Sequence, residues 1–176
     1  MARSTARRRA LNTLYEADEK GQDFLSLLDE RIAEPGAQTP LPEYAIEIVR
    51  GVNEHRKAID SQLNAHSKGW KVKRMHAIDR NILRIGTWEI LYNDDVPDKV
   101  AIDEALNLAK TLSDDAAPSF IHGVLSAIAT QNEQKTSAAP QASPSDSSEA
   151  PSPSQSSQAD PVSPTSVESD ETDQTN

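Results

Sequence analysis

The residues best suited to chemistry lie at the amino terminus, where four arginines fall within the first nine positions: Arg3, Arg7, Arg8 and Arg9. Guanidinium groups suit phosphate, because each carries a permanent charge and a rigid fork of N–H donors. A helix is predicted to begin at Ser4 or Thr5. Cations in its first turns oppose the partial positive charge at a helix amino terminus. This conflict points to a bound anion, and a solvated basic segment that aids solubility is the equal alternative.

Tyr15 is predicted to lie on the same stripe of this helix as Arg8. The two positions are about 20° apart around the axis and about 10 Å apart along it. A cation beside an aromatic ring suits unpaired RNA, because the cation contacts phosphate and the ring stacks on a base. Arg7 instead shares a face with Leu11 and Leu14, so pairing with an acid at the edge of the core is the alternative for it.

The sequence offers no support for catalysis. It has no cysteine, no recognisable catalytic or phosphate-loop motif, and no metal-ligand spacing among its four histidines, His55, His66, His76 and His122. Glu89 shares a face with apolar residues of a predicted central helix. A buried carboxylate can act as an acid, but it more often pairs with an arginine or caps a helix. We therefore predict a non-enzymatic protein without metal or cofactor.

The net charge of −10 mostly reflects the carboxyl-terminal segment, residues 136–176. This segment carries seven acids and six prolines but no Lys, Arg or aromatic residue. It cannot bury enough apolar surface to offset the entropy of ordering, so we predict a disordered acidic tail. Residues 1–135 are predicted to form the folded domain, whose nearly balanced charge leaves nucleic acid open as a ligand. No apolar run resembles a membrane span or signal peptide, which predicts a cytoplasmic protein.

Apolar spacing predicts an all-α fold of about seven helices in two packed bundles. The pattern over residues 45–63 predicts either one helix or two with a break near residue 57. Residues 78–91 are apolar nearly all round, which indicates a central, buried helix. Pro118 suits the first turn of a last helix. Phe120 lies about 100° from the apolar stripe of that helix, so it belongs either to the core or to an exposed aromatic platform.

A second basic group occupies the connection before the central helix and the start of that helix. Its members are Lys68, Lys71, Lys73, Arg74, Arg80 and Arg84, opposed only by Asp79. Taken alone, the group is more simply a solvated connector than a binding site.

Several spaced motifs resemble the NusB family of bacterial transcription antitermination factors. The chain contains WKVKRMHAIDRNILRIGTWEILYNDDVPDKVAIDEALNLAK followed by SFIHGVL. The amino-terminal pattern AR-x-x-A-x-x-x-LY and the later segment GV-x-x-H-x-x-x-ID also fit, and together the motifs cover residues 3–130. His122 stands where the family usually has Asn, and Ser126 where it usually has Asp.

The resemblance implies an all-α RNA-binding protein that pairs with NusE, a small-subunit ribosomal protein that also acts in transcription. The pair is expected to bind single-stranded boxA RNA and to help RNA polymerase read through terminators, notably in ribosomal RNA operons. From geometry and resemblance together, the expected RNA contacts are Arg3, Arg7, Arg8, Arg9, Tyr15, Phe120 and His122. The expected NusE contacts are Asp79 and Arg84.

Two other function classes remain at this point. The same domain occurs fused to ribosomal RNA cytosine methyltransferases, but no methyltransferase sequence follows residue 135. A helical scaffold or a DNA-binding protein is a further class, and the last helix does not resemble a basic recognition helix. The sequence also leaves a monomer and a homodimer equally open.

Overall fold

A computed structural model gives the structure of the protein and describes residues 2–35 and 39–138. The helices of this part are α1 (Ala2–Lys20), α2 (Phe24–Ala33), α3 (Glu43–Glu54), α4 (Arg56–His66), α5 (Ala77–Tyr92), α6 (Asp98–Leu112) and α7 (Ala117–Ala138), with a short 3₁₀ helix at Val72–Arg74. The prediction of an all-α fold with about seven helices is confirmed. Residues 136–138 continue α7, and the rest of the predicted tail lies outside the described residues.

The helix α5 lies at the centre of the fold, as the sequence predicts. Every residue from 81 to 90 is buried, and α5 packs against α1, α3, α4, α6 and α7. Gly86 permits one of these close contacts, because a Cβ at this position would lie 2.8 Å from Cδ1 of Leu125 on α7. A larger residue at position 86 would therefore force the Leu125 side chain to shift.

The two predicted bundles share this central helix. On one side α1, α2 and α3 pack against one another, and on the other side α6 and α7 pack together against α5. The buried apolar side chains of both groups form a single continuous core. Within the described part, no helix combines the length and apolar character that a membrane span needs.

The pattern over residues 45–63 forms two helices that meet at His55, which has a non-helical ψ of 11°. This confirms the alternative of two helices with a break near residue 57. The start of the first helix differs from the sequence-based prediction. The first helix begins at Ala2 and not after Ser4. Ser4 therefore lies inside the first turn, where its hydroxyl donates to the Glu104 carboxylate over 2.9 Å. This tertiary contact replaces the predicted cap.

Candidate nucleic-acid interface

The outer face of α1 carries a stripe of exposed polar residues. Its members are Thr5, Arg8, Asn12, Tyr15 and Glu19. Ala6, Ala10, Leu14 and Ala17 are buried on the opposite face and fix the rotation of the helix. Arg8 and Tyr15 therefore face solvent together, with the spacing that the sequence predicts, and we call this surface the α1 stripe. Their RNA contacts remain a prediction.

Among the four amino-terminal arginines, Arg8 has the freest guanidinium. It is exposed, and it makes no hydrogen bond or ion pair with any residue that the structure describes. Because α1 begins at Ala2, Arg8 lies in the second turn, beyond the reach of the helix-terminal charge. The electrostatic conflict inferred from the sequence is thus weaker than predicted at Arg8 and falls mainly on Arg3.

Arg7 occupies a different environment from its neighbour. It is 2% exposed, and its Nε donates to Oε1 and Oε2 of Glu89 over 2.8 and 3.1 Å. Its Nη1 lies 3.6 Å from the Glu104 carboxylate, and the Tyr44 hydroxyl donates to Glu89. These four residues, Arg7, Tyr44, Glu89 and Glu104, form what we call the Arg7 cluster.

The alternative roles predicted for Arg7 and Glu89 are confirmed by this pairing. Glu89 pairs with an arginine, and Arg7 pairs with an acid. A phosphate contact by Arg7, in contrast, would require its guanidinium to leave a carboxylate that is only 1% exposed. Such a buried partner would then be left without a counter-charge, which costs several kcal/mol. The position of Arg7 gives no support to the predicted phosphate contact.

Burial dominates the ionisation of the Arg7 cluster. Loss of solvent raises the pKa of Glu89, although hydrogen bonds from Tyr44 and Arg7 favour its charged form. Burial and the neighbouring carboxylate also raise the pKa of Tyr44 well above its ordinary value. The Tyr44 hydroxyl therefore remains a hydrogen-bond donor to Glu89.

The other two arginines differ again. Arg9 donates to the backbone carbonyls of Pro40 and Thr39 over 2.7 and 2.6 Å, which fastens the segment before α3 to α1. Arg3 is exposed, with its guanidinium carbon 4.9 Å from the centre of the Tyr44 ring. The four amino-terminal arginines thus have different environments. Arg3 and Arg8 are open to solvent, whereas Arg7 and Arg9 hold α1 in place.

The predicted partner residues Asp79 and Arg84 lie on α5, and Arg84 reaches Asp18 near the carboxyl-terminal end of α1. Asp79 is at the edge of burial and accepts a hydrogen bond from the Ser113 hydroxyl. Arg84 is 3% exposed and donates to both carboxylate oxygens of Asp60, over 2.8 and 3.0 Å. A partner can reach Asp79 through the surface cavity that it lines, but the Arg84 guanidinium lies inside the fold. Direct contact with a partner is therefore unsupported for Arg84.

Arg84 belongs to a second ionic group, which comprises Arg84, Asp18, Asp60, Arg80 and Asn81 and is called here the Arg84 cluster. Asp18 accepts from Nε of Arg80 over 2.5 Å and from Asn81 over 3.0 Å. Burial favours protonation of Asp18, but these hydrogen bonds prevail and lower its pKa.

Phe120 and His122 lie on α7, whereas the four amino-terminal arginines lie on α1. Phe120 is half-buried and packs against the core, and its outer side lines a cavity with Trp70, His76 and Asp79. Phe120 therefore belongs partly to the core and partly to an exposed surface, the two alternatives that the sequence left open. His122 is exposed. Phe120 thus shares a cavity with the predicted partner residue Asp79.

Several residues that shape this surface are not predicted from the sequence. Tyr44 and Asp18 complete the two ionic clusters, but neither stands out from its neighbours in the sequence. Trp70 was missed as an exposed residue, although it is 57% exposed. A tryptophan between lysines, as in KGWKVK, was the available signal. Within the described part, no three His, Asp or Glu side chains are placed to hold a metal ion.

Comparison with known proteins agrees with the spaced motifs. A family model described as the NusB family matches residues 4–130. The chain is 74% identical over 176 residues to the transcription antitermination protein NusB of Bifidobacterium animalis subsp. lactis (strain AD011), covering 100% of both chains. It is 52% identical over 132 residues to the protein of the same name from Beutenbergia cavernae, covering 70% of this chain and 86% of that one.

Solved structures show the same likeness. NusB of T. maritima is 28% identical with a TM-score of 0.66, and the match covers 77% of this chain and 96% of that chain. A chain in a crystal structure of the antitermination factors NusB and NusE in complex with dsRNA is 29% identical with a TM-score of 0.64. That match covers 73% of this chain and 96% of the other.

Proposed function

Because the chain belongs to the NusB family, as its matched residues 4–130 and its relatives show, we propose that it is an RNA-binding transcription antitermination factor that pairs with NusE. We further propose that the pair binds boxA RNA as a single strand in the cytoplasm. In this role it would help RNA polymerase read through terminators, notably in ribosomal RNA operons. The activity is one of binding, and it requires no catalytic group, metal or cofactor from the chain.

The observation that carries the RNA-binding proposal is the α1 stripe. Arg8 and Tyr15 are both exposed on one face of a helix whose other face is locked into the core. Their separation of about 10 Å along the axis allows Arg8 to hold a phosphate while a neighbouring base stacks on Tyr15. Arg3 extends the positive charge toward the start of α1.

Arg7 and Arg9 contribute indirectly in this proposal. Arg7 anchors the amino-terminal half of α1 to α5 through Glu89, and Arg9 anchors it to the segment before α3. These contacts fix the direction in which Arg8 points. A preorganised cation binds phosphate more tightly than a mobile one, because less conformational entropy is lost on binding.

A charge reversal at Arg8 tests the RNA surface. We expect Arg8→Glu to weaken binding of single-stranded boxA RNA at least tenfold in low salt, measured by fluorescence anisotropy. The slope of log affinity against log salt concentration should also decrease by the contribution of about one phosphate contact. Lys57→Glu is the matched control, since it makes the same charge change at an exposed position on α4. Equal affinity of Arg8→Glu and wild type would remove the α1 stripe from the RNA site.

The same titration, run with a duplex of the boxA sequence, tests the strandedness of the RNA. The single strand should bind more tightly, because stacking on Tyr15 needs an unpaired base. Tighter binding of the duplex would overturn the single-strand proposal and leave RNA binding itself standing.

We place the NusE contact at the Asp79–Phe120 edge. Asp79 and Phe120 line the same surface cavity at the start of α5 and α7, and Arg84 would support this edge from inside through Asp18 and Asp60. Asp79→Lys should abolish co-purification of NusE, because a reversed charge at a packed interface costs several kcal/mol. Asp103→Lys, at an exposed position on α6, is the control. Normal NusE recovery with Asp79→Lys would exclude this edge.

A further inference from the structure

The connection between α4 and α5 displays a tryptophan on a well-built turn. Trp70 is the most exposed large apolar side chain of the described residues, at 57%. It follows Lys68 and Gly69, which have positive φ values of 46° and 90°. Glycine suits this left-handed conformation because it lacks a Cβ. The chain direction reverses here and presents the indole ring to solvent.

Hydrogen bonds hold this turn in shape. The backbone N–H of Trp70 donates to the Ser67 carbonyl over 3.1 Å, and the Ser67 hydroxyl donates to the Trp70 carbonyl. The Asn64 side chain accepts from the backbone N–H of Val72 over 2.9 Å, and the Val72 side chain is buried. The ring is thus held outward by a fixed backbone, and its exposure is not the result of a frayed loop.

Four cations lie within four residues of Trp70 in the sequence: Lys68, Lys71, Lys73 and Arg74. All four are exposed, and none forms a hydrogen bond through its side chain or an ion pair with a residue that the structure describes. The nearest acids, Asp79 and Asp114, lie with Phe120 and His76 in the cavity on one side of Trp70. The cavity on the other side contains Lys68 and His66 without an acid.

This combination matches the requirements of single-stranded nucleic acid. An exposed aromatic ring offers a stacking surface to any base, and unpaired lysines beside it attract the backbone phosphates. A solvated connector would account for the lysines. It would give no role to the aromatic ring, which lines two surface cavities together with Phe120.

We propose that the Trp70 turn, residues 67–74, is a second RNA-binding surface that takes a single-stranded segment flanking the boxA element. One base stacks on Trp70, and the adjacent phosphates contact Lys71 and Lys73. The proposal rests on the proposed RNA-binding function and extends it, since the turn lies apart from the arginines of α1. The RNA would then span two separate surfaces, which raises affinity through a higher effective concentration at the second one.

The test uses the full chain and two RNA probes. One probe is the boxA element alone, and the other carries about ten unpaired uridines on each side of it. Trp70→Ala should weaken binding of the extended RNA at least about fivefold and leave binding of the short RNA unchanged. Lys71→Glu with Lys73→Glu should also weaken binding of the extended RNA. The slope of log affinity against log salt concentration should decrease in magnitude by about 1.4, the contribution of two phosphate contacts on a single strand. Lys57→Glu with Lys99→Glu is the charge-matched control.

Intrinsic fluorescence supplies an independent readout. The chain has two tryptophans, and Trp88 is buried against Gly51, so quenching by a stacked base reports on Trp70. We expect the extended RNA to quench the wild-type signal and the short RNA to leave it unchanged. Trp70→Phe should abolish the quenching and retain more affinity for the extended RNA than Trp70→Ala, because a smaller ring still stacks.

The outcomes separate this inference from the proposed function. Binding of both RNAs with equal affinity and no quenching would overturn the second surface and leave boxA binding intact. Failure of the wild type to bind either RNA would overturn both proposals. Loss of NusE recovery in Trp70→Ala, with extended-RNA affinity unchanged in the absence of NusE, would assign the turn to the protein partner and also overturn the inference.

Discussion

Two ionic clusters fasten α1 to α5, one at each end of the helix pair, and the pKa values of their buried carboxylates shift in opposite directions. In the Arg7 cluster the pKa of Glu89 is raised, whereas in the Arg84 cluster the pKa of Asp18 is lowered. Both carboxylates pair with arginine. An ion pair with arginine therefore does not by itself decide the direction of a pKa shift.

The difference lies in the ratio of donors to carboxylates and in the remaining solvent. The Arg7 cluster shares one guanidinium between Glu89 and Glu104, and Glu89 is almost completely buried. In the Arg84 cluster, Asp18 receives hydrogen bonds from Arg80 and Asn81 and has Arg84 nearby, and its side chain remains 12% exposed. Where donors outnumber carboxylates and some solvent remains, hydrogen bonding outweighs desolvation.

This contrast has a functional side. The Arg7 cluster lies under the exposed cations Arg3 and Arg8, and the Arg84 cluster lies under the Asp79 edge. Each cluster therefore supports one of the two proposed contact surfaces. We expect damage to one cluster to affect mainly the surface above it, as long as the fold survives.

The largest expected effect comes from breaking the more deeply buried pair. Arg7→Ala should lower the free energy of unfolding by about 3–5 kcal/mol, because it leaves Glu89 buried without its counter-charge. Urea unfolding followed by circular dichroism measures this loss. The control is Arg7→Met combined with Glu89→Leu, which removes both charges at similar volume and should recover most of the stability. A loss below about 1 kcal/mol for Arg7→Ala would show that Glu89 is already neutral or solvated.

A smaller effect is expected in the other cluster. Arg84→Lys keeps the charge but cannot reproduce the paired bonds to Asp60, because an ammonium group lacks the planar fork of donors. We expect a loss of about 2 kcal/mol in the same unfolding assay. Arg80→Lys is the control, since Arg80 contacts Asp18 through one nitrogen, and it should cost less. An equal cost for both variants would mean that the paired geometry at Asp60 adds nothing.

Sequence reasoning reached the fold and part of the site, and the limit is a physical one. The apolar residues of 78–91 predict the buried centre correctly, because a helix that is apolar nearly all round is buried on all its faces. The two-helix alternative with a break near residue 57 holds to within two residues, since exact helix ends depend on local backbone geometry that periodicity does not record. The sequence predicts too late a start for α1, because Ser4 finds a partner on α6, which is distant in sequence.

The roles of the adjacent arginines illustrate the same limit. The helical wheel separated Arg7 from Arg8 correctly, because it needs only the positions of the apolar neighbours. It could not show that Arg9 donates to the segment before α3, nor that Arg84 lies inside the fold, since both contacts depend on how distant segments meet. Family resemblance placed Arg84 at a partner surface, yet the guanidinium faces inward. Resemblance identifies a residue that matters without stating whether it acts by contact or by support.

The smallest expected effect is the opposite pH dependence of the two clusters. Glu89 has a raised folded-state pKa, so its contribution to stability is fully present below the ordinary value of 4.5 and is lost as the pH rises through the folded pKa. Asp18 has a lowered folded-state pKa, so its contribution is present above the ordinary value of 3.8 and is lost as the pH falls through the folded pKa.

Two variants that cannot titrate isolate these contributions. As the pH rises from 4.5, Glu89→Gln should gain stability relative to wild type. As the pH falls below 3.8, the stability deficit of Asp18→Asn relative to wild type should shrink. We expect the Asp18 change to stay below about 1 kcal/mol, because solvent screens a partly exposed group. Urea unfolding across this pH range measures both differences. The same sign of slope for both variants would contradict the contrast between the clusters, and would mean that hydrogen bonding by Arg7 and Tyr44 outweighs the desolvation of Glu89.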